Sequence, residues 1–295
     1  MNFHDLRVRD PYILFENGTY YLYRANIVHV GNEIVVQKSR DLVTLDEAHT
    51  VYTLDTSTWK SAQLWAPEVH AWRGKYYLFV SILGKSGLRS TEISVASTPD
   101  GPFLPVSDSP ATPAEQSAID GTLFEDEGVP YIVYSRDWPF CFDEAIGAYV
   151  GELWARPLTR DLSAPAGEAF RLFRSTDCPL SARAPACHDW EGKPVRRYGS
   201  DAPFLQRLPS GKILLTWSPI PDNNYVVFGA VADTIRGNWE HLDTPIFDQN
   251  GGHAMFFRDA ENRLLMSIHA PEREGDERAR FFPVTLTENG ITLEK

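Results

Sequence analysis

Apolar and polar residues alternate in short runs along this chain, and one pattern of such runs recurs five times. Each unit has a small or acidic start, an apolar strand, a glycine or asparagine turn, and a second apolar or aromatic strand. The five segments are DPYILFENGTYYLY from Asp10, APEVHAWRGKYYLFVS from Ala66, DGTLFEDEGVPYIVYS from Asp120, DAPFLQRLPSGKILLTWS from Asp201 and HAMFFRDAENRLLMSI from His253. A tight turn between two strands needs a residue that tolerates positive φ, so the pattern predicts five hairpins.

A third strand follows the hairpin in every unit. The third strands are IVVQKSRDL, EISVASTPDGPF, YVGELWARPLTRDL, VVFGAVADTIRGNW and FFPVTLTENG. Three or four strands per unit, repeated five times, predict an all-β, five-bladed β-propeller that occupies residues 1–295 as a single domain. The alternative, two unrelated β-sandwiches, does not explain why the repeat persists along the whole chain.

The third unit is longer than the others by about 27 residues. Its excess lies at about 136–198, a stretch rich in proline, arginine and cysteine without clean alternation. We therefore expect an insertion of long loops over one face of the propeller, and loops of such length in a compact domain are usually functional.

Composition and charge exclude several classes of protein. A formal net charge of −12 and a pI near 5.1 argue against a nucleic-acid partner. No apolar run approaches the roughly 18 residues of a spanning helix, and the printed start lacks the pattern of an export signal. The three cysteines, Cys141, Cys178 and Cys187, fit free thiols in a reducing compartment. The sequence predicts a cytoplasmic protein without a membrane partner and leaves its oligomeric state open.

The residues at the starts of the repeats are Asp10, Ala66, Asp120, Asp201 and His253. The innermost strands of a propeller run in the same direction along its axis, so these residues are expected to meet at one mouth. A single aspartate before a strand is usually a turn or cap residue. Three at one phase of a repeat repel one another unless they carry out chemistry or hold a cation. Glycoside cleavage by paired carboxyl groups and calcium binding are both open at this point.

Five motifs in order resemble glycoside hydrolase family 43 over nearly the whole chain. They are RDPYIL, WAPEVH, IDGTLFED, DAPFL and GGHAMFF. The resemblance implies a five-bladed propeller and an inverting enzyme, of a family made up mostly of β-xylosidases, α-L-arabinofuranosidases and arabinanases. It implies that Asp10 is the general base and that Asp120 orients the general acid and tunes its pKa.

The third catalytic position departs from the common family pattern. Most members carry a glutamate there, before Gly-Pro or Ala-Pro, whereas this chain has Ser200-Asp201-Ala202-Pro203. Asp201 keeps the carboxyl group with one methylene less of reach. The chain resembles a family branch with aspartate at this position, so we predict that Asp201 is the general acid.

The metal position predicted from the sequence is His253. It resembles the family histidine that binds a central calcium ion or water, and its alternative is a channel-lining residue without a ligand. We expect calcium at the propeller axis and no organic cofactor.

Five further residues are candidates for substrate binding. Trp65 can stack on a sugar or simply pack in the core. Glu68 follows Ala66 by two residues, which places it on the same side of a regular strand. Arg278 is a candidate cation near the acids, with a solvated arginine as the alternative. Trp138 and Phe140 begin the long insertion and are expected to shape the subsites.

These observations predict a hydrolase for fragments of plant or microbial polysaccharide, a glycosidase of the β-xylosidase or α-L-arabinofuranosidase type. The expected partner is an oligosaccharide. Two alternatives remain open, a carbohydrate-binding propeller without catalytic activity and a glycosidase for galactan or galactofuranosides.

Overall fold

The computed structural model describes residues 1–294, which form β-strands joined by turns, loops and short 3₁₀-helices. The first blade contains β1 (Tyr12–Glu16), β2 (Thr19–Ala25), β3 (Glu33–Ser39) and β4 (His49–Thr53). The second contains β5 (Lys60–Trp72), β6 (Lys75–Gly84), β7 (Arg89–Ala96) and β8 (Leu104–Pro105). The short helices are Phe3–Asp5, Trp138–Phe140, Ser175–Asp177, Pro179–Arg183 and Pro221–Asn223.

The middle of the chain supplies the third blade and a small extra sheet. Its strands are β9 (Ala118–Asp126), β10 (Val129–Arg136), β11 (Phe142–Asp143), β12 (Ala148–Val150), β13 (Glu152–Pro157), β14 (Phe170–Arg174), β15 (Ala186–His188) and β16 (Pro194–Tyr198). The third blade has the strand order β9-β10-β13-β14, and the extra sheet has the order β11-β12-β16-β15.

The last two blades complete the ring. The fourth contains β17 (Asp201–Arg207), β18 (Ile213–Ser218), β19 (Phe228–Ala232) and β20 (Glu240–His241). The fifth contains β21 (Gly252–Arg258), β22 (Leu264–Ala270), β23 (Arg278–Thr287) and β24 (Gly290–Leu293). The inner strands β1, β5, β9, β17 and β21 contact one another in this order, and β21 returns to β1. This closed ring of five four-stranded sheets is the five-bladed propeller predicted from the sequence.

The hairpin turns lie where the repeat places them. Gly18 has φ +72°, Gly74 has φ +77° and Asn262 has φ +62°, all in the left-handed region. The middle strands of a blade are covered on both faces by neighbouring blades, and every residue of β18 is buried. Such strands show a continuous apolar run instead of alternation.

The long insertion differs from the loops predicted at 136–198. Of the two blade strands inside it, β13 lies within the predicted third strand YVGELWARPLTRDL and β14 was not predicted. The extra sheet, which pairs β12 with β16 in parallel, was not predicted either. These strands are short, and the β12–β16 pairing joins segments far apart in the chain. Local alternation therefore carried no sign of the extra sheet. Among residues 1–294 no helix has the length and apolar character needed to cross a membrane.

Candidate active site

Each inner strand has a backbone irregularity at or next to the residue that starts its sequence repeat, and this irregularity shapes the centre of the propeller. Left-handed φ angles occur at Asp10 (+52°), Ala66 (+43°), Asp120 (+57°), Ala202 (+53°) and His253 (+56°). In β5, β9, β17 and β21 the pairing register shifts at this point, as in a β-bulge. A bulge breaks the alternation of side chains, so two neighbouring residues can both face the axis.

The left-handed position corrects the phase assigned to the fourth repeat. The counterpart of Asp10 and Ala66 is Ala202, while Asp201 occupies the place of Trp65, one residue earlier. The sequence contained the signal, because Asp10, Ala66 and Ala202 are each followed by proline. Asp201 nevertheless lines the same cavity as Asp10, since the bulge turns both positions inward.

The bulged residues surround a cavity of about 470 Å³ at the mouth of the propeller. This volume is within the range of about 300–1,000 Å³ that is typical of small-molecule sites. The predicted residues on its wall are Asp10, Trp65, Asp120, Trp138, Phe140, Asp201 and His253. The structure thus brings the three carboxyl groups, the histidine and three of the candidate aromatic residues together.

Hydrogen bonds between neighbouring blades hold the bulges in place. The backbone N–H of Asp120 donates to Ser81 Oγ at 2.8 Å, and that of His253 donates to Ser218 Oγ at 2.9 Å. The N–H of Ala202 donates to Oδ2 of Asp120 at 2.9 Å. The side chain of Asp120 is therefore oriented by the blade that carries Asp201.

Asp10 lies beside two histidines and an arginine. Its Oδ1 atom is 2.9 Å from His253 Nδ1, 3.3 Å from His269 Nδ1 and 3.7 Å from Arg9 Nε. Burial alone would raise the pKa of Asp10, but the charges of His253 and Arg9 outweigh it and hold the pKa well below its usual value. The same pairing acts on the imidazole: burial lowers the pKa of His253, and Asp10 and Asp120 raise it to about 9.

The carboxyl groups on the other side of the cavity have the opposite shift. Burial raises the pKa of Asp120 to about 6, with His253 lowering it and Asp10 raising it further. Burial first, and then the charges of Asp120 and Asp137, raise the pKa of Asp201 well above its usual value. One cavity therefore holds a carboxyl group with a lowered pKa, Asp10, and one with a raised pKa, Asp201, which is the pairing that acid–base chemistry needs.

Two predicted residues are not on the cavity wall, Glu68 and Arg278. The bulge at Ala66 shifts the phase of β5, so Glu68 no longer shares the side of Ala66; it is buried beside His70, with Oε2 at 2.8 Å from Nε2. The Nη1 atom of Arg278 donates to the carbonyl oxygens of Gly275 at 3.2 Å and Glu277 at 2.9 Å.

Sequence reasoning missed several residues of the wall. They are Arg9, His29, Arg89, Asp137 and Tyr225. Arg9 supplies the cation beside the acids that was sought at Arg278, and its position next to Asp10 was the available signal. Arg89 is the first residue of β7, and Asp137 directly follows β10. Neither lies at a repeat start, so the repeat gave no indication of them.

A calcium ion would find only part of a ligand set at the axis. No group of three or more His, Cys, Asp or Glu residues within 1–294 is arranged to hold a metal. The Nε2 atom of His253 makes no hydrogen bond to another described residue, and its Nδ1 lies beside the carboxylate of Asp10. A carboxylate on the far nitrogen is the usual support of a metal-binding histidine. The residues therefore fit one protein ligand to a cation that keeps most of its water.

Comparison with known proteins identifies the family. The family model of glycosyl hydrolases family 43 matches residues 3–290. The chain belongs to this family. The endo-arabinase from Bacteroides thetaiotaomicron VPI-5482 is 31% identical, with 98% of each chain covered and a TM-score of 0.86. The family and the glycoside hydrolase class predicted from the sequence are confirmed.

Two more proteins are similar to this chain. The extracellular exo-α-(1→5)-L-arabinofuranosidase of Streptomyces avermitilis is 25% identical over 81% of this chain. A β-xylosidase/α-arabinofuranosidase from a compost microbial metagenome shares the fold, with 17% identity, 99% and 95% of the two chains covered and a TM-score of 0.73; its structure is described as a calcium-free form with xylotriose. The chain spans 39% and 47% of the length of the first two curated relatives it matches.

The prediction of a cytoplasmic protein is wrong by this comparison. The Streptomyces avermitilis relative and one from Streptomyces chartreusis, 26% identical over 82% of this chain and 70% of its own length, are both described as extracellular. The free thiols do not argue for a reducing compartment, because Cys141 and Cys178 are buried. Burial raises the pKa of Cys141 to about 12 and that of Cys178 to about 11, which suppresses the reactive thiolate.

The opposite pKa shifts predict opposite effects of two isosteric substitutions on stability. A raised carboxyl pKa costs stability as the pH rises above the unfolded value of about 3.9, so Asp201→Asn is expected to raise Tm at pH 7. A lowered pKa contributes stability above that value, so Asp10→Asn is expected to lower Tm. Each kcal/mol should shift Tm by roughly 2–4 °C. Calorimetric scans at pH 7 and pH 4 check this, because the Asp201→Asn difference should shrink at pH 4. A lower Tm for Asp201→Asn at pH 7 would contradict it.

Proposed function

We propose that this protein hydrolyses α-L-arabinofuranosyl linkages with inversion of the anomeric carbon, and that residues 1–295 act as a single catalytic domain. The observation that carries the hydrolytic part is the pair of carboxyl groups with opposite pKa shifts in one cavity, Asp10 and Asp201. Such a pair supplies a base and an acid at the same pH.

The proposed reaction is a single displacement. Asp10 takes a proton from a water molecule while that water attacks the anomeric carbon. The bond from this carbon to the glycosidic oxygen breaks, and Asp201 gives its proton to the leaving oxygen. Asp10 lines the cavity, which places its carboxylate within reach of such a water.

The role proposed for Asp120 is to position Asp201 and to raise its pKa. Its Oδ2 atom accepts the N–H of Ala202, the residue next to Asp201. Its charge contributes to the raised pKa of Asp201. Activity should fall at low pH as Asp10 becomes protonated and at high pH as Asp201 loses its proton, so the useful range lies between the lowered and the raised pKa.

The choice of arabinofuranosyl substrates rests on the relatives. The chain aligns over 98% of its length with an endo-arabinase and over 81% with an exo-α-(1→5)-L-arabinofuranosidase. We propose action outside the cell for the same reason. The carbohydrate-binding propeller without catalytic activity remains the second candidate, and it predicts binding without turnover.

A panel of substrates tests this proposal. We expect release of 4-nitrophenol from its α-L-arabinofuranoside at least 10-fold faster than from the β-D-xyloside or the β-D-galactofuranoside, because one ring shape fits the cavity best. A proton NMR time course on α-1,5-arabinobiose should show the β-anomer of arabinose first. Initial formation of the α-anomer would contradict inversion, and binding without turnover would favour the second candidate.

The acid role of Asp201 has its own test. Acid catalysis is typically worth about 10²–10⁴ in rate, so Asp201→Asn should lower kcat/KM by that factor on arabinobiose. On a 2,4-dinitrophenyl arabinofuranoside the loss should be under about 10-fold, because this leaving group scarcely needs a proton. Asp10→Asn is the control, since losing the base should impair both substrates alike. Equal losses for Asp201→Asn on both substrates would assign another role to Asp201.

We propose one hydrated calcium ion at the axis, with the neutral imidazole of His253 as its direct protein ligand. Because Asp10 and Asp120 raise the pKa of His253 to about 9, calcium must displace a proton there and should bind more tightly as the pH rises. Bound there, it would supply positive charge to the acidic cavity. Calcium prefers six to eight oxygen ligands, which water must largely provide at this position. Titration calorimetry should detect one calcium site per chain in the EDTA-treated protein and none in the His253→Ala variant. Equal calcium binding by both proteins, or by neither, would refute the site.

A further inference from the structure

Two charged side chains of the cavity wall transfer no proton in the proposed reaction, Arg89 and Asp137. Arg89 begins β7 of the second blade, and Asp137 follows β10 of the third blade. Both are more than nine-tenths buried, with 6% and 8% of their surface exposed. Burying a charge is costly unless it is paired or hydrogen-bonded, so the partners of these groups are informative.

The guanidinium of Arg89 is held firmly but used only in part. It lies over the ring of Trp65, with Cζ 3.1 Å from the ring centre. Its Nη1 donates to the carbonyl oxygen of Gln63 at 3.4 Å, and its Nη2 donates to Oε1 of the same residue. It forms no ion pair with a carboxylate among residues 1–294. A guanidinium has five N–H donors, so several remain for a ligand in the cavity.

The carboxyl group of Asp137 is also held at one atom. Its Oδ2 accepts from Ser117 Oγ at 3.2 Å, and its Oδ1 accepts no hydrogen bond from a described residue. Burial raises the pKa of Asp137, and Ser117 and Arg89 lower it. Burial lowers the pKa of Arg89 to about 10, and Asp137 and Asp120 raise it. Arg89 and Asp137 thus shift each other's pKa and both line the cavity, but they form no ion pair with each other.

Sugar hydroxyl groups are suitable ligands for such a donor–acceptor pair because each hydroxyl both donates and accepts hydrogen bonds. Arg89 offers donors only and an ionised Asp137 offers acceptors only, so together they can bind two neighbouring hydroxyl groups in a defined orientation. The stacking on Trp65 and the bonds to Gln63 and Ser117 fix both side chains before the substrate arrives, which lowers the entropy cost of binding.

We propose that Arg89 and Asp137 form a subsite that binds two neighbouring hydroxyl groups of one sugar ring of the substrate. The subsite rests on the proposed function, which supplies the sugar, and it deepens that function by naming residues that determine specificity. One face of Trp65 is covered by Arg89, so in this arrangement Trp65 supports the arginine instead of stacking that face on a sugar.

The test pairs variants of the protein with deoxy substrates. The variants are Arg89→Gln, Asp137→Asn and the double variant, assayed on arabinobiose and on its derivatives that each lack one hydroxyl. Hydrogen bonds to charged groups predict a loss of about 10- to 100-fold in kcat/KM for each single variant, carried mainly by KM. For the wild type, the kcat/KM for one of the deoxy substrates should be lower than that for arabinobiose by a similar factor. Each single variant should lower the kcat/KM for this deoxy substrate by less than about 3-fold further. The double variant should lose less than the product of the single losses, because both residues bind the same ring.

Lys85→Gln is the matched control for charge. Lys85 is an exposed cation in the turn that precedes Arg89, outside the cavity wall, and its Nζ donates to the carbonyl oxygen of Thr58. We expect its kinetics to equal those of the wild type. Variants that keep the wild-type discrimination against every deoxy substrate would overturn the subsite, even if their kcat/KM falls, because a merely structural role lowers all substrates equally.

A binding measurement separates this subsite from the proposed reaction. Titration calorimetry with arabinobiose and the inactive Asp10→Asn protein should give an affinity that falls about 10-fold or more when Asp137→Asn is added. This result would support the subsite even for a wild type that shows no turnover, which would refute only the proposed function. An unchanged affinity would overturn the subsite.

Discussion

The left-handed residue that lies in or just before each inner strand is the constraint on which the rest of the site depends. It allows Arg9 and Asp10, or Ile119 and Asp120, to face one cavity although regular strands place neighbouring side chains on opposite faces. Its freed N–H groups are satisfied by the adjacent blade, as Ser81 does for Asp120. The geometry of the site therefore depends on how the blades close the ring, since moving a blade would move the carboxyl groups.

Electrostatic asymmetry follows from this placement. Arg9 and His253 lie beside Asp10, on the first and fifth blades, and hold its pKa down. Asp201, on the fourth blade, is half-buried with Asp120 and Asp137 as acidic neighbours, and its pKa rises. Three residues of one chemical type thus acquire different pKa values from their surroundings. The same burial makes Asp201 costly to the folded state, as is common where active sites store unfavourable interactions.

The insertion and the outer strand ends give this propeller its individual cavity. Asp137 leads directly into the short helix Trp138–Phe140, which contributes to the wall and continues into the extra sheet. Arg89 reaches the wall from the adjacent second blade and is supported by Trp65. Residues at the repeat starts thus carry the reaction proposed for this protein, whereas Arg89 and Asp137, outside the repeat starts, border the cavity proposed to hold the substrate.

The sequence by itself determined the five repeats, the hairpin turns and the gathering of Asp10, Asp120 and His253, because turn chemistry and strand alternation are local and repeat starts converge in any propeller. Only the tertiary structure decided that Ala202 is the bulged residue of the fourth repeat, that Glu68 turns away from the cavity, and that Arg9 is the cation beside the acids. A bulge resets alternation without leaving a strong local signal. Arg89, Asp137 and the β12–β16 pairing depend on contacts between distant segments, which periodicity cannot register.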